Sequence, residues 1–381
     1  MRFDTDFPGG NGRLLRAEEK EYGWEIEFLA ECKAREPLPL WFYFKLYDLT
    51  GTKVRLKLAN SSQCLGSQLG WSTNHPVYRE DGGAWKRVET VENGFTGRHI
   101  LETRFEVPLT GDTLEFAFFY PYQLAQMEKT ARACSGAFDT EIIGYSTMGR
   151  PMYRYVNTER YFDPQNPDVY ITGRQHAGEA TGSYEIDGMM RYLASAEGEW
   201  ALRKINWWFV PMVDIDGVEE GYYGKNQVYN DLNRSWSMGV AKRTELVCIQ
   251  RQMKYLKKNG HFRFYLDMHA PAHEERDTYF VVSADWPQDK KDELRRIFER
   301  VAAETEKLGY QPPYFNEQPA GTNTGSQTGW CGDDFTLALG VNGCAFECTY
   351  QGERNGRNYT EDDYRAFGKC IVKALAGYLE P

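Results

Sequence analysis

Side chains that can share a metal ion stand at the ends of two apolar runs in this 381-residue chain. His176 and Glu179 are three residues apart and closely follow the run Val169–Thr172. His269 directly follows the run Phe262–Met268. If both runs are strands of one sheet, their ends lie at one edge and the three side chains can meet there. Two imidazoles and a carboxylate suit a catalytic zinc ion, which keeps a fourth position for water.

Two other histidines leave alternatives open. His99 and Glu102 have the same spacing, but they lie in a β-like region where strand alternation directs them to opposite faces. His273 is either a third ligand or a histidine of a polar loop. Asp267, two residues before His269, can orient a ligand from behind.

The segment Asn230–Arg234 reads NDLNR and can hold a carboxylate end. The guanidinium of Arg234 can donate two parallel hydrogen bonds to a carboxylate, and the neighbouring amide of Asn233 can donate another. The alternative is a helix N-terminus that Asp231 or Asn233 caps, with Arg234 in solvent.

A lone carboxylate, Glu347, lies in the apolar run Cys344–Tyr350. Because burying a bare charge is costly, we expect Glu347 to be paired or functional, unless it alternates outward to solvent. Beside a water molecule whose pKa a zinc ion lowers, this carboxylate would serve as a general base.

Short strand-like runs, separated by glycine, asparagine, aspartate and proline, fill the first third of the chain. This pattern predicts an antiparallel β-sandwich domain over residues 1–122. The predicted strands are Tyr22–Ala30, Trp41–Leu46, Lys53–Leu58, Trp85–Thr90 and Leu114–Phe119.

Strand-like and helix-like runs alternate in the remainder, which predicts an α/β domain over residues 123–381 with helices on the faces of its sheet. The predicted strands are Val169–Thr172, Asn206–Val213, Phe262–Met268, Thr278–Val282 and Cys344–Tyr350. The predicted helices are Glu179–Ala194, Arg243–Lys257, Asp289–Leu308 and Glu361–Leu379.

Composition excludes several classes of protein. The formal net charge of −10 opposes binding to nucleic-acid phosphates. No stretch approaches the ~18 apolar residues that a membrane span needs, and the N-terminus lacks the apolar run of a secretory signal. Eight cysteines without a C-x-x-C pair fit reduced thiols. We therefore expect a cytoplasmic protein that binds neither nucleic acid nor membranes.

Five motifs in a fixed order resemble the zinc carboxypeptidases of the carboxypeptidase A type. They are His176 with Glu179, Asp214–Val218 (DIDGV), Asp231–Arg234 (DLNR), Asp267 with His269, and Glu347. Gly144–Arg150 (GYSTMGR) resembles a further segment of that family. The β region before the α/β region, joined by FYPY at 119–122, is similar to the cytosolic carboxypeptidase branch in particular.

This resemblance implies a fold, a cofactor and a reaction. The fold is a mixed sheet flanked by helices, and the substrate is the C-terminus of a peptide or protein. One zinc ion per chain would be bound by His176, Glu179 and His269. Glu347 would be the general base that takes a proton from the zinc-activated water, and Asn233 with Arg234 would bind the terminal carboxylate.

The chain departs from the family pattern in three places. Asp214-Ile215 stands where the family usually has Asn-Pro. The stretch 218–230 lacks the family's carbonyl-polarising arginine, so Lys225, Arg174 or no residue takes that role. The loop 320–332 contains no tyrosine to match the family's mobile substrate-site tyrosine.

Substrate preference and reaction class retain alternatives. Asp333 or Asp334 can favour a basic C-terminal residue, or can cap the segment that follows. The motifs are also compatible with a zinc amidohydrolase of N-acyl amino acids, of the aspartoacylase type. The third alternative is a non-catalytic carbohydrate- or protein-binding module with a degenerate site.

Overall fold

The computed structural model describes most of the chain. The described residues are 1–33, 38–66, 71, 73–96, 100–225, 227, 231–237, 239, 243–318 and 331–379. His99, Asn230 and most of the loop 320–332 lie outside this set.

Two five-stranded sheets form the N-terminal region. Their strands are β1 (Arg2–Asp4), β2 (Arg13–Lys20), β3 (Gly23–Leu29), β4 (Tyr43–Tyr47), β5 (Lys53–Leu58), β6 (Val77–Glu80), β7 (Lys86–Arg87), β8 (Thr90–Thr96), β9 (Ile100–Pro108) and β10 (Leu114–Ala117). The strand orders are β1-β4-β10-β6-β7 and β2-β3-β5-β9-β8. The pairs are antiparallel except for β3 with β5, which is parallel.

Phenylalanine rings join these two sheets face to face. Phe28 on β3 lies 4.9 Å from Phe44 on β4, and Phe105 on β9 lies 5.5 Å from Phe116 on β10, between ring centroids. All four rings are buried, because alternate residues of each strand point into the same core. Aromatic pairs of this kind are a large part of the stabilisation of a β-sandwich.

An eight-stranded mixed sheet with helices forms the remainder. Its eight strands are β11 (Phe138–Tyr145), β12 (Pro151–Asn157), β13 (Pro167–Gly173), β14 (Asn206–Val210), β15 (His261–His269), β16 (Tyr279–Ser283), β17 (Tyr314–Gln318) and β18 (Asn342–Glu347). A separate hairpin is formed by β19 (Glu353–Arg354) and β20 (Arg357–Asn358). The helices are α1 (Leu124–Ala133), α2 (Thr181–Leu193), α3 (Glu199–Lys204), α4 (Ile215–Glu220), α5 (Thr244–Asn259), α6 (Gln288–Lys307), α7 (Gly332–Ala338) and α8 (Glu361–Tyr378).

The strand order is β11-β12-β14-β13-β15-β18-β16-β17, with β14, β13, β15 and β18 parallel to one another. Strand alternation divides the core between the two faces: Ile171 of β13 belongs to the cluster that contains α2, α6 and α8, and Tyr170 to the cluster that contains α5 and α7. The carboxyl ends of β13, β15 and β18 therefore meet at one edge, where a ligand site is expected.

The predicted α/β fold is confirmed, and so are the long helices to within two residues at each end. One boundary differs at a functional position, because helix α2 begins at Thr181 and Glu179 lies in the preceding loop. Strands β11, β12 and β17 of this sheet were not predicted, nor were β1, β2, β6, β8 and β9 of the N-terminal region. β11 and β17 are the two edge strands of the mixed sheet and carry exposed polar residues, and β12 beside β11 mixes buried with partly buried residues, so their sequences lack the apolar runs of the central strands. Among the described residues, no helix is long and apolar enough to cross a bilayer.

Candidate metal centre and active site

The loop between β13 and α2 places His176 and Glu179 at the sheet edge. Arg174 turns the chain there with a φ of 60°, in the left-handed region. Gly178 then passes so close to Tyr223 that an added Cβ would lie 2.3 Å from its ring, so only glycine fits. Strand register completes the arrangement, because His269 at the end of β15 pairs directly with Glu347 at the end of β18.

His176, Glu179 and His269 converge on one point. One ligand atom from each lies within 4.8 Å of the others, and all three side chains are buried. Both imidazoles face the same carboxylate: His176 Nδ1 lies 2.8 Å from Glu179 Oε1, and His269 Nδ1 lies 2.7 Å from Glu179 Oε2. Two histidines and one glutamate are the donor set of many catalytic zinc sites, so the residues present fit this metal.

The outward nitrogen of each imidazole has a carboxylate partner. His269 Nε2 lies 2.8 Å from Asp267 Oδ2, and His176 Nε2 lies 3.3 Å from Asp231 Oδ1. Such partners fix the ring and the tautomer, so that Nδ1 is left to bind a metal. Asp231 was considered in the sequence as a helix cap, but its side chain makes no cap bond to the short 3₁₀ turn Leu232–Arg234.

Burial and charge act against each other on these groups. Burial by itself lowers the pKa of His269, but Asp267 and Glu179 raise it well above the ordinary histidine value. Burial by itself raises the pKa of Glu179, yet the neighbouring His176, together with Lys225 and His269, holds it well below the usual range. The carboxylate is therefore ionised at neutral pH, which is the form that binds a metal.

Two charged groups flank this cluster. Glu347 is partly exposed, and its Oε2 has no hydrogen-bond partner among the described residues. Burial raises the pKa of Glu347, and Glu179 adds to this increase while His269 opposes it. Lys225 lies on the other side, with Nζ 3.5 Å from Glu179 Oε1. A carboxylate with a free oxygen and an ammonium group therefore both face the cluster.

Asn233 also reaches the site, and the charge of the neighbouring Arg234 acts on Lys225. Asn233 Nδ2 lies 3.2 Å from His269 Nε2, and its Oδ1 has no partner among the described residues. Arg234 Nη1 donates to the Asn233 carbonyl at 2.7 Å, which turns the guanidinium back over the turn. No carboxylate in the described part of the chain forms an ion pair with Arg234, although the group is partly exposed.

Arg174 and His273 are both buried and are not part of the ligand cluster. Arg174 donates to the Ala177 carbonyl in the ligand loop, to the Tyr122 carbonyl at 2.9 Å and to Ser183 Oγ at 3.0 Å, so three acceptors hold its guanidinium. His273 is neither a ligand of the cluster nor a solvated loop residue. It is buried against Trp71, with ring centroids 4.8 Å apart.

The two aspartates after the 320–332 loop have different environments. Asp334 accepts from the Cys331 amide and caps helix α7, as the alternative interpretation predicted. Asp333 is buried, and this raises its pKa to about 6.

The DIDG turn links the segment GYSTMGR to the sheet edge. Ser146 Oγ donates to Asp216 Oδ1 at 2.7 Å, and Arg150 donates to the same oxygen at 2.9 Å. Asp214 is fully buried and caps α4 by accepting from Gly217 N at 3.1 Å. Burial raises the pKa of Asp214 to about 7, although Arg243 opposes the shift.

This shift gives a pH-dependent contribution to stability. In the unfolded chain an aspartate titrates near ~3.9, so the folded protein loses stability as pH rises from ~4 through 7. Replacing Asp214→Asn removes this loss. We expect the unfolding free energy of the variant, relative to wild type, to increase by on the order of 4 kcal/mol between pH 4 and 8. Urea titrations at each pH measure it, and the exposed Asp292→Asn is the control. If the difference in unfolding free energy between Asp214→Asn and wild type did not change with pH, the raised pKa of Asp214 would be contradicted.

Comparison with known protein families identifies the class. Residues 124–364 match the zinc carboxypeptidase family, which is more than half of the chain. The chain therefore belongs to the zinc carboxypeptidase family, a class of peptide-bond hydrolases. Residues 3–119 match the cytosolic carboxypeptidase N-terminal domain, which agrees with the branch that the sequence resembles.

Individual relatives agree with this family. Cytosolic carboxypeptidase 2 of Danio rerio is 23% identical over 100% of this chain, which spans only 56% of that relative's length. Human cytosolic carboxypeptidase 6 is also 23% identical, over 99% of this chain and 78% of the relative. A metallo-carboxypeptidase from Pseudomonas aeruginosa, solved with (2-guanidinoethylmercapto)succinic acid, superposes with a TM-score of 0.82 at 20% identity over the whole of both chains. At that identity the likeness concerns the fold alone.

Proposed function

We propose that this protein is a zinc-dependent metallocarboxypeptidase that hydrolyses the C-terminal peptide bond of a peptide or protein tail. The observation that carries the proposal is the convergence of His176, Glu179 and His269 beside Glu347, at the edge where three parallel strands end. Residues 1–122 and 123–381 form its N-terminal and catalytic domains in this proposal, and one zinc ion binds per chain.

The protein's own residues supply three functions in this proposal. Zinc, when bound by the two histidines and Glu179, supplies a Lewis acid that lowers the pKa of a water molecule toward ~7. Glu347 takes the proton of the attacking water and returns it to the leaving amine, for which its unpartnered oxygen is available. Asn233 and Arg234 bind the terminal carboxylate, which restricts the reaction to the last peptide bond.

Lys225 is the residue in the best position to polarise the scissile carbonyl. Its ammonium group faces Glu179, and burial, which lowers its pKa, is outweighed by Glu179 and Glu347, which raise it. It is therefore charged at neutral pH. When Glu179 binds zinc, the positive charge of Lys225 can stabilise the negative charge that develops on the oxygen of the scissile carbonyl.

Lys225→Met tests this role. Removing one donor to a developing oxyanion costs about 10²–10³ in kcat, and we expect a loss in that range with little change in zinc affinity. The matched control is Lys291→Met, which removes a buried lysine whose partner is Glu317, on the edge strand β17. Equal activity in the two variants, measured on one peptide, would contradict the role of Lys225.

One paired assay tests the function itself. The purified, zinc-loaded protein is given a panel of peptides that differ only in the last residue and, separately, N-acetyl amino acids. We expect release of free C-terminal amino acids and no deacylation. Deacylation alone would favour the aspartoacylase-type reaction, whereas a protein that neither binds zinc nor turns over either substrate would be a binding module. A cytoplasmic location is part of the proposal, since the family relatives are named cytosolic.

A further inference from the structure

The N-terminal domain holds the segment that follows Glu347. Arg87 on β7 donates from Nη2 to the Tyr350 carbonyl at 2.7 Å and from Nη1 to the His75 carbonyl at 2.9 Å. Gln351 Nε2 donates to Asn74 Oδ1 at 2.7 Å. The bonds of Arg87 to Tyr350 and of Gln351 to Asn74 span 263 and 277 positions of the chain, and they reach the third and fourth residues after β18.

Aromatic contacts strengthen the same junction. The ring of Tyr350 lies 5.1 Å from that of Phe118 and 5.1 Å from that of Phe119, both edge-on. The guanidinium of Arg87 lies 5.2 Å from the Phe119 ring and 4.8 Å from the Tyr120 ring. Tyr350 is fully buried, so the backbone after Glu347 cannot move without disturbing this packing.

Tyr350 passes the constraint on to the metal-binding loop. Its hydroxyl lies 3.0 Å from the hydroxyl of Tyr223, which is also buried. The Tyr223 carbonyl accepts from Gly178 N at 2.8 Å, between His176 and Glu179. Tyr223 also stands two residues before Lys225. One chain of contacts therefore connects Arg87 with the segment after β18, the strand that ends at Glu347, and with the loop that carries His176 and Glu179.

We propose that Arg87 is a positioning residue that, through Tyr350 and Tyr223, fixes Glu347 relative to the metal ligands. The inference rests on the proposed function, since it concerns the geometry of that reaction. It gives the N-terminal domain an indirect role in catalysis, because a displacement of about 1 Å at a catalytic group can cost 10²-fold in rate. Each of the two histidine ligands is also held by its own carboxylate, Asp231 or Asp267, so we expect zinc affinity to depend little on Arg87.

The test compares Arg87→Met with Arg79→Met. Arg79 lies on the neighbouring strand β6, makes two hydrogen bonds to Glu115 and lies 4.6 Å from the ring of Trp85, and these contacts stay within the N-terminal domain. We expect Arg87→Met to lower kcat about 10–100-fold, with KM and zinc affinity within about threefold of the control. Arg87→Lys keeps a cation and a carbonyl donor, and should recover most of the rate.

Hydrogen exchange gives a measurement that does not depend on activity. We expect the amides of residues 348–351 to exchange at least about tenfold faster in Arg87→Met than in Arg79→Met. Tyr223→Phe, which removes only the hydroxyl contact, should lower kcat about fivefold and should not be additive with Arg87→Met. Unchanged exchange, kcat equal to the control, additive losses, or a parallel loss of zinc would each overturn the inference. An inactive wild type would contradict the proposed function, and the exchange experiment would still decide the role of Arg87.

Discussion

Replacing Glu347→Gln is expected to leave zinc binding intact and to lower kcat about 10³-fold. The amide is nearly the same size as the carboxylate and keeps the strand pairing of Glu347 with His269, so the metal ligands should not move. An amide cannot accept the proton of an attacking water, however, and general-base catalysis contributes about 10²–10⁴ in rate. Steady-state release of a C-terminal residue, with bound zinc measured on the same sample, gives both quantities.

A control variant separates the loss of the base from a change of charge. Glu317→Gln removes a carboxylate from the edge strand β17 of the same sheet, where it pairs with Lys291. It should retain nearly full activity. If Glu347→Gln kept more than a third of the wild-type rate, another group would have to accept the proton. If it lost zinc as well, Glu347 would be part of the ligand set.

Replacing Arg234→Met is expected to lower kcat/KM about 10²–10³-fold for peptides with a free C-terminal carboxylate. Two parallel hydrogen bonds between a guanidinium and a carboxylate at a partly buried site are worth several kcal/mol of binding free energy. Methionine is similar to arginine in length but carries no charge. The loss should be mainly in KM, because the terminal carboxylate does not change during the reaction. For the same peptide with a C-terminal amide, variant and wild type should be equally slow.

Arg263→Met is the matched control for this variant. Arg263 lies near the start of β15, at the opposite end from His269, and pairs with Glu293. Its removal should not change kcat/KM for either substrate. Equal losses on the carboxylate and amide peptides would show that Arg234 supports the site in another way and does not recognise the chain end.

The central part of the mixed sheet was predictable because its strands are buried on both faces. Runs such as Val169–Thr172 and Phe262–Met268 are continuous and apolar, so both their type and the edge where they end follow from the sequence. His176, Glu179 and His269 could be proposed as one cluster for that reason, and the structure brings them together.

Other features depend on contacts that no local pattern contains. Asp231 has the sequence context of a helix cap, and only the tertiary fold shows that it faces His176 instead. An imidazole that binds a metal needs a hydrogen-bond partner at its second nitrogen. That requirement was the one indication in the sequence that a residue such as Asp231 would face His176. The contact of Arg87 with Tyr350 spans 263 positions, so it follows from domain packing alone.

The zinc content of the protein and of two ligand variants tests the account most directly. Wild type, His176→Ala and His269→Ala are stripped with a chelator, titrated with zinc by calorimetry, and analysed by mass spectrometry under native conditions. We expect one tightly bound zinc ion per wild-type chain and at least about 10³-fold weaker binding in each variant, because each loses one of three protein ligands. A wild-type chain that takes up no zinc, or a His269→Ala variant that binds it as tightly as wild type, would contradict the account.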